Sequence, residues 1–124
     1  MLMRLSAFQE HYSLHDSPIN SLQYFPEQGK LTLEVDICDD GQWPFPIKSD
    51  PMPLTFVFTG VSHYSVSTGS LDCEQDEIHD ARLLPSAKPG KEIIEFILFT
   101  TSNQGTEDVK FLQIEAESVN WVIS

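Results

Sequence analysis

The residues with the most chemistry to offer are two His-Asp steps and one spaced histidine pair. His15-Asp16 and His79-Asp80 each set an imidazole beside a carboxylate, and His11 lies four residues before His15. On a helix, positions four apart share a face, so His11, His15 and Asp16 could hold a zinc ion. The pair lacks the glutamate that makes HExxH a metalloprotease signature, and it falls where a helix would end. There a histidine is favoured simply by the last carbonyls. Hydrolases of the HD type use a His-Asp dyad with further ligands spread over several helices, and this chain shows one short helical pattern. A local role fits better: Asp accepts backbone N–H groups at turns, with a neutral imidazole donating beside it. We keep His15, Asp16, His79 and Asp80 as a possible polar site and assign no catalytic residue, no metal and no cofactor.

Other chemistries find less support. There is no G-x-S-x-G and no glycine-rich phosphate loop. Cys38 and Cys73 form neither a CxxC pair nor a zinc pattern, and neither has basic neighbours that would favour the thiolate. Whether they pair with each other is left open. Two carboxylate groups, Asp36 with Asp39 and Asp40, and Asp72 with Glu74, Asp76 and Glu77, are rich enough in oxygen for calcium. Neither fits the spacing of a twelve-residue calcium loop, and solvated acidic loops are the expectation.

Charge narrows the partners. The chain of 124 residues has 19 acidic and 7 basic residues, a net charge of −12. The excess is not a tail, since both halves of the sequence carry it. Such a surface repels phosphate backbones and anionic membranes, so nucleic acid and membrane are not expected partners. It attracts cations and basic proteins, mainly by speeding encounter. The best candidate anchors lie in the proline-rich stretch 38–53, which holds four of the eight prolines. Asp39, Asp40, Trp43 and Phe45 are its partner-binding candidates. The alternative for Trp43 and Phe45 is that both rings cover an open end of the fold.

The elements that must position these groups are mostly strands. Leu5 and Phe8, with Tyr12 after them, give one helical face over residues 3–12. Pro18 holds Ser17 extended, so the helix should end by Asp16. A strand over Ile19–Tyr24 leads through Pro26-Glu27-Gln28-Gly29 to Lys30–Ile37. In that second strand Leu31, Leu33, Val35 and Ile37 alternate with polar residues, the mark of a half-buried hairpin strand. Residues 38–53 read as one long loop, because prolines interrupt a ladder. Strand patterns resume at Leu54–Thr59, Tyr64–Val66 and Ile78–Leu84. Ile93–Thr100 is apolar on both faces, as expected of a central strand buried on both sides. Leu112–Glu117 and Val119–Ile123 close the series after a turn at Ser102-Asn103-Gln104-Gly105. The expectation is a single mainly β domain, an antiparallel β-sandwich or open barrel with a short N-terminal helix. No stretch approaches the length of a membrane span, and no signal-peptide pattern opens the chain, so a cytoplasmic protein is expected. Leu14-His15-Asp16-Ser17-Pro18-Ile19 also faintly echoes Ile78-His79-Asp80-Ala81-Arg82-Leu83.

The Leu14–Ile19 segment, the Leu31–Ile37 alternation and the closing Leu112-Gln113-Ile114-Glu115-Ala116-Glu117-Ser118-Val119-Asn120-Trp121 resemble a group of small bacterial β proteins. Some of these are classed as immunity proteins of polymorphic toxin systems. The resemblance spans residues 11–37 and 108–123 and supplies no catalytic residues. It implies a non-catalytic protein-binding module, with a basic toxin as the kind of partner an acidic chain would neutralise. The competing expectation is a small enzyme or ligand-binding sandwich that uses histidine and carboxylate side chains in a cleft.

Overall fold

The computed structural model describes residues 2–11, 14–15, 17–37, 52–67, 71, 76–101 and 107–123. Among these residues, eight strands form one antiparallel sheet in the order β4-β7-β6-β5-β1-β2-β3-β8. They are β1 (Ser17–Phe25), β2 (Lys30–Ile37), β3 (Met52–Thr59), β4 (His63–Val66), β5 (Asp76–Leu84), β6 (Glu92–Thr101), β7 (Glu107–Ala116) and β8 (Ser118–Ile123). β4 and β8 stand at the two ends of the order, so the sheet is open, not closed into a barrel.

Two corners fold this sheet into facing halves. β1 gives Ser17 and Pro18 to β5, then shifts register between Ile19 and Ser21 and pairs with β2 for the rest of its length. At the second corner the β3–β4 and β7–β8 strand pairs turn together at Gly60 and Glu117. The Glu117 N–H bonds to the Thr59 carbonyl, and the Ser62 N–H to the Glu115 carbonyl. Gly60 has φ 64°, a left-handed conformation that favours glycine at this corner.

The inward rows of both halves build one core. Leu31, Leu33, Val35 and Ile37 of β2 are each fully buried, as their alternation predicts. Leu54, Phe56 and Phe58 of β3 belong to the same buried cluster as Ile94, Phe96 and Leu98 of β6 and Leu112 and Ile114 of β7. The helix, α1 (Leu5–His11), adds Leu5 and Phe8, and the Phe8 ring meets Phe56 edge-on at 5.2 Å. A helix of seven residues is too short to stand alone. It is held by its apolar face and by Glu92 of β6, whose carboxylate accepts the Ser6 N–H at 3.2 Å near the helix start.

Three expectations need correction. Met52 and Pro53 belong to β3, not to the preceding loop. Pro53 pairs with Asp36 beyond the point where β8 ends opposite Leu54, so its missing N–H interrupts no ladder on that side. Asp76 and Glu77 are not in a solvated loop but open β5, which lies between β1 and β6. Asp76 is 2% exposed and sits opposite Lys110 Nζ at 3.1 Å. Finally, β6 is central, but its outer face is covered only in part. Glu95 of its other row is buried, whereas Phe99 of that row is 39% exposed.

Candidate functional site

The outward face of β5, β6 and β7 collects the unusual residues. Directly opposed residues of an antiparallel pair point to the same side. Arg82, Glu95 and Gln113 therefore form one outward row, Asp80, Ile97 and Phe111 the next, and Glu77, Phe99 and Val109 the last. The face is polar at one end and apolar at the other.

At the polar end, carboxylates are tied into the sheet. Glu115 on β7 accepts the Ser62 hydroxyl at 2.5 Å and the Ser86 hydroxyl at 2.8 Å, with Lys88 Nζ at 3.4 Å. These hydroxyls, led by Ser62, hold its carboxyl below the ordinary value against a smaller opposing effect of burial. Burial is the largest influence on Glu92 and opposes its charge. The Ser6 N–H and hydroxyl and the Arg4 guanidinium together outweigh it and keep this carboxyl low as well. One row in from Glu115, Glu95 accepts Arg82 Nε at 2.5 Å and Gln113 Nε2 at 2.6 Å. The Glu95 side chain is 4% exposed and that of Arg82 59%, so Arg82 lies over the carboxylate as a lid.

At the apolar end, Phe99, Val109 and Phe111 are 39%, 44% and 37% exposed. With the half-buried Ile97 they make a contiguous cross-strand block. The His79 ring stacks on Phe99 with centroids 4.1 Å apart and planes at 13°. Alternation after the inward Ile78 sets His79 on this face, and the register shift between Ile78 and Asp80 brings Asp80 to the same side. The Asp80 carboxylate accepts the Ala81 N–H at 2.8 Å, which braces the same shift.

The two histidines of the sequence echo meet here. His15 Nδ1–H donates to the His79 carbonyl at 2.5 Å, and the two rings lie 5.1 Å apart. The β1–β5 pairing of Ser17 with Ile78 brings the echoing segments side by side. Of the polar-site candidates, His15 and His79 thus meet, and Asp80 follows His79 on the same strand with its carboxylate on the Ala81 N–H. Asp16 lies outside the described residues, as do Asp39, Asp40, Trp43 and Phe45, both cysteines, Asp72 and Glu74, Tyr12 and the expected turn at 102–105. The site is an open sheet face, not a cleft. Among the described residues, a depression lined by Tyr24, Phe25, Pro26, Glu27 and Gln28 has a volume of about 230 Å³. That is below the range usual for small-molecule sites, and none of the converging groups lines it. No group of three or more His, Cys, Asp or Glu among the described residues could hold a metal ion.

The exposed aromatic block escaped the sequence reading because β6 looked like a strand with cover on both sides. Phe111 and Val109 carried the available signal. They fall out of phase with the buried Leu112 and Ile114, yet they are apolar.

No family model, curated protein or solved structure matches the chain. Among the described residues no helix is long and apolar enough to cross a membrane.

Proposed function

We propose that this chain is a non-catalytic protein-binding module whose partner is a basic protein, as an immunity-type protein neutralising a cationic toxin would be. The observation that carries the reading is how the chain disposes of its own positive charge. Arg4 pairs with Glu92, Arg82 with Glu95, Lys88 with Glu115 and Lys110 with Asp76. Lys91 donates to the Gly60 carbonyl, and Lys30 sits 5.5 Å above the Phe25 ring. Each described base is engaged within the fold, so none of them is left to offset the acidic excess of a chain with net charge −12. Unpaired surface carboxylates of one sign accelerate docking of a cationic protein and do little for a neutral one. In this reading the protein acts in the cytoplasm, and Asp39, Asp40, Trp43 and Phe45 remain partner-binding candidates.

A second reading, a ligand-binding or catalytic sandwich, draws on one observation, the convergence of His15 and His79. The pair spends an imidazole N–H on a backbone carbonyl and stacks the other ring on Phe99, which suits bracing of the β5 irregularity.

The test is stopped-flow association with a partner captured from the native host, measured across a salt series. The association rate should fall steeply as salt rises, because charges beyond about 8 Å are screened at physiological ionic strength, while the dissociation rate changes less. Neutralising Asp39 and Asp40 together should reproduce part of the effect. An acidic partner, or an association rate flat in salt, would overturn the proposal.

A further inference from the structure

We infer that the apolar end of the β5–β7 outer face, centred on Phe99, Val109 and Phe111, is the docking surface, and that it takes a protein surface combining apolar side chains with Lys or Arg. This rests on the proposed reading of a basic partner and says where that partner sits and what it must present.

Three observations carry the inference. The block is formed by directly opposed residues of β6 and β7, so its side chains stand together on one face of two paired strands. Its aromatic members are over a third exposed, although the same strands bury Phe96, Leu98, Leu112 and Ile114 completely on their other face. Rigid aromatic side chains on a strand lose little conformational freedom on binding, which is the property of interface anchors. The third observation is the charge around the block. Glu77 and Asp80 on β5 lie opposite Phe99 and Ile97 in the same outward rows. The nearest bases are spent: Arg82 on Glu95 of the outer face, and Lys110 on Asp76 at the inner face.

That rim selects the occupant. A second copy of this chain would bring −12 against −12 and set acidic rims edge to edge, so self-association through this face is opposed by charge. A surface with apolar residues at its centre and Lys or Arg at its border would fill the block and neutralise the rim. The Arg82–Glu95–Gln113 row bounds the platform on the polar side, where its paired groups offer a partner no surplus charge.

Two peptide probes separate this inference from the reading it rests on. One is an amphipathic Lys/Leu peptide, the other a Lys/Gly peptide of equal length and charge, each titrated into the ¹⁵N-labelled full chain at low salt. The Lys/Leu peptide should shift amides of β6 around Ile97–Phe99 and of β7 around Val109–Phe111, and should bind at least about tenfold more tightly than the Lys/Gly peptide. Phe99→Ser should weaken it by about tenfold, and so should Val109→Ser combined with Phe111→Ser, which leaves the His79 stack intact. Val122→Ser, an exposed change on β8, should leave it unaltered; thermal melts confirm that each variant is folded. Equal binding of both peptides, or shifts centred on Glu27, Glu34 and Asp36, would overturn the docking face while sparing the basic-partner reading. Binding of neither peptide would overturn both. A salt-promoted dimer in sedimentation that Phe99→Ser abolishes would replace the basic partner with a second copy.

Discussion

β2 and β6 are built alike on their inner faces and differently on their outer ones. β2 buries Leu31, Leu33, Val35 and Ile37 and turns Thr32, Glu34 and Asp36 outward. β6 buries Ile94, Phe96 and Leu98 and turns Ile93, Glu95, Ile97 and Phe99 outward, with Phe111 and Val109 of β7 beside them. The β2 side meets water as a half-buried antiparallel sheet should. The β6 side exposes aromatic carbon that contributes little to stability and invites association. Folding explains the inner rows of both strands. It does not explain the outer row of β6, and that difference marks the face as one kept for contact.

Core truncation should show the largest effect. Phe96→Ala removes a fully buried ring and should cost about 3–5 kcal/mol, with Leu33→Ala in β2 at about 2–5 kcal/mol. Phe99→Ala, three residues along the same strand but on the other side, should cost about 1 kcal/mol or less. Chemical denaturation with unchanged m-values is the measurement. Should Phe99→Ala prove as damaging as Phe96→Ala, the outer row would be core, and the contrast with β2 would vanish.

The next effect concerns a buried charge on the inner side. Asp76→Ala strands Lys110, whose side chain is only 12% exposed, and should cost about 3 kcal/mol. Asp76→Ala combined with Lys110→Met should recover much of that loss, because it removes both charges and restores apolar volume. A double variant no more stable than the single one would mean that Asp76 supports the fold by some route other than this pair. On the outer side, Glu95→Gln should cost less, about 1–2 kcal/mol, since its partner Arg82 can turn to water.

Much of this fold is legible in the sequence because period-2 alternation maps directly onto a sheet with one wet face. Lys30–Ile37 and Leu54–Thr59 are read correctly for that reason, and Gly29, at φ 58°, closes the expected turn between β1 and β2. Where both rows are apolar, periodicity says nothing about which is covered, so Ile93–Thr100 is placed as a central strand but the exposure of its outer row at Phe99 is missed. Asp76 and Glu77 read as loop because carboxylates in a run look solvated. The cross-strand position of Lys110, 34 residues away, helps make a buried aspartate tolerable. The His15–His79 contact was half visible: the sequence echo and the two dyads pointed at these residues. Their meeting depends on the antiparallel pairing of Ser17 with Ile78, which local sequence does not specify.

The smallest effect tests whether the polar end of the β5–β7 face is as fully committed as the apolar end is vacant. Glu115 is held below its ordinary value chiefly by the Ser62 and Ser86 hydroxyls. A carboxyl lowered on folding adds stability that is fully present above its unfolded value, about 4.3, and is lost as pH falls through the lower folded value. Stability should therefore be steady from neutral pH down to about 5 and decline below that, with Glu92 contributing in the same direction. Ser62→Ala and Ser86→Ala together remove both hydroxyl donors, so the Glu115 carboxyl should titrate nearer its ordinary value. Near neutral pH the variant should be less stable by what those two hydroxyls contribute, and the difference should shrink as pH falls, so the acid-side slope flattens. Carbon-detected NMR titration of the glutamate side chains reads the shift directly, and melts between pH 3 and 7 read the slope. The same double change should not alter peptide binding at Phe99 and Phe111, because it lies at the other end of the face. If it does, the polar end takes part in docking, and the division of this face into a structural and a contact half is wrong.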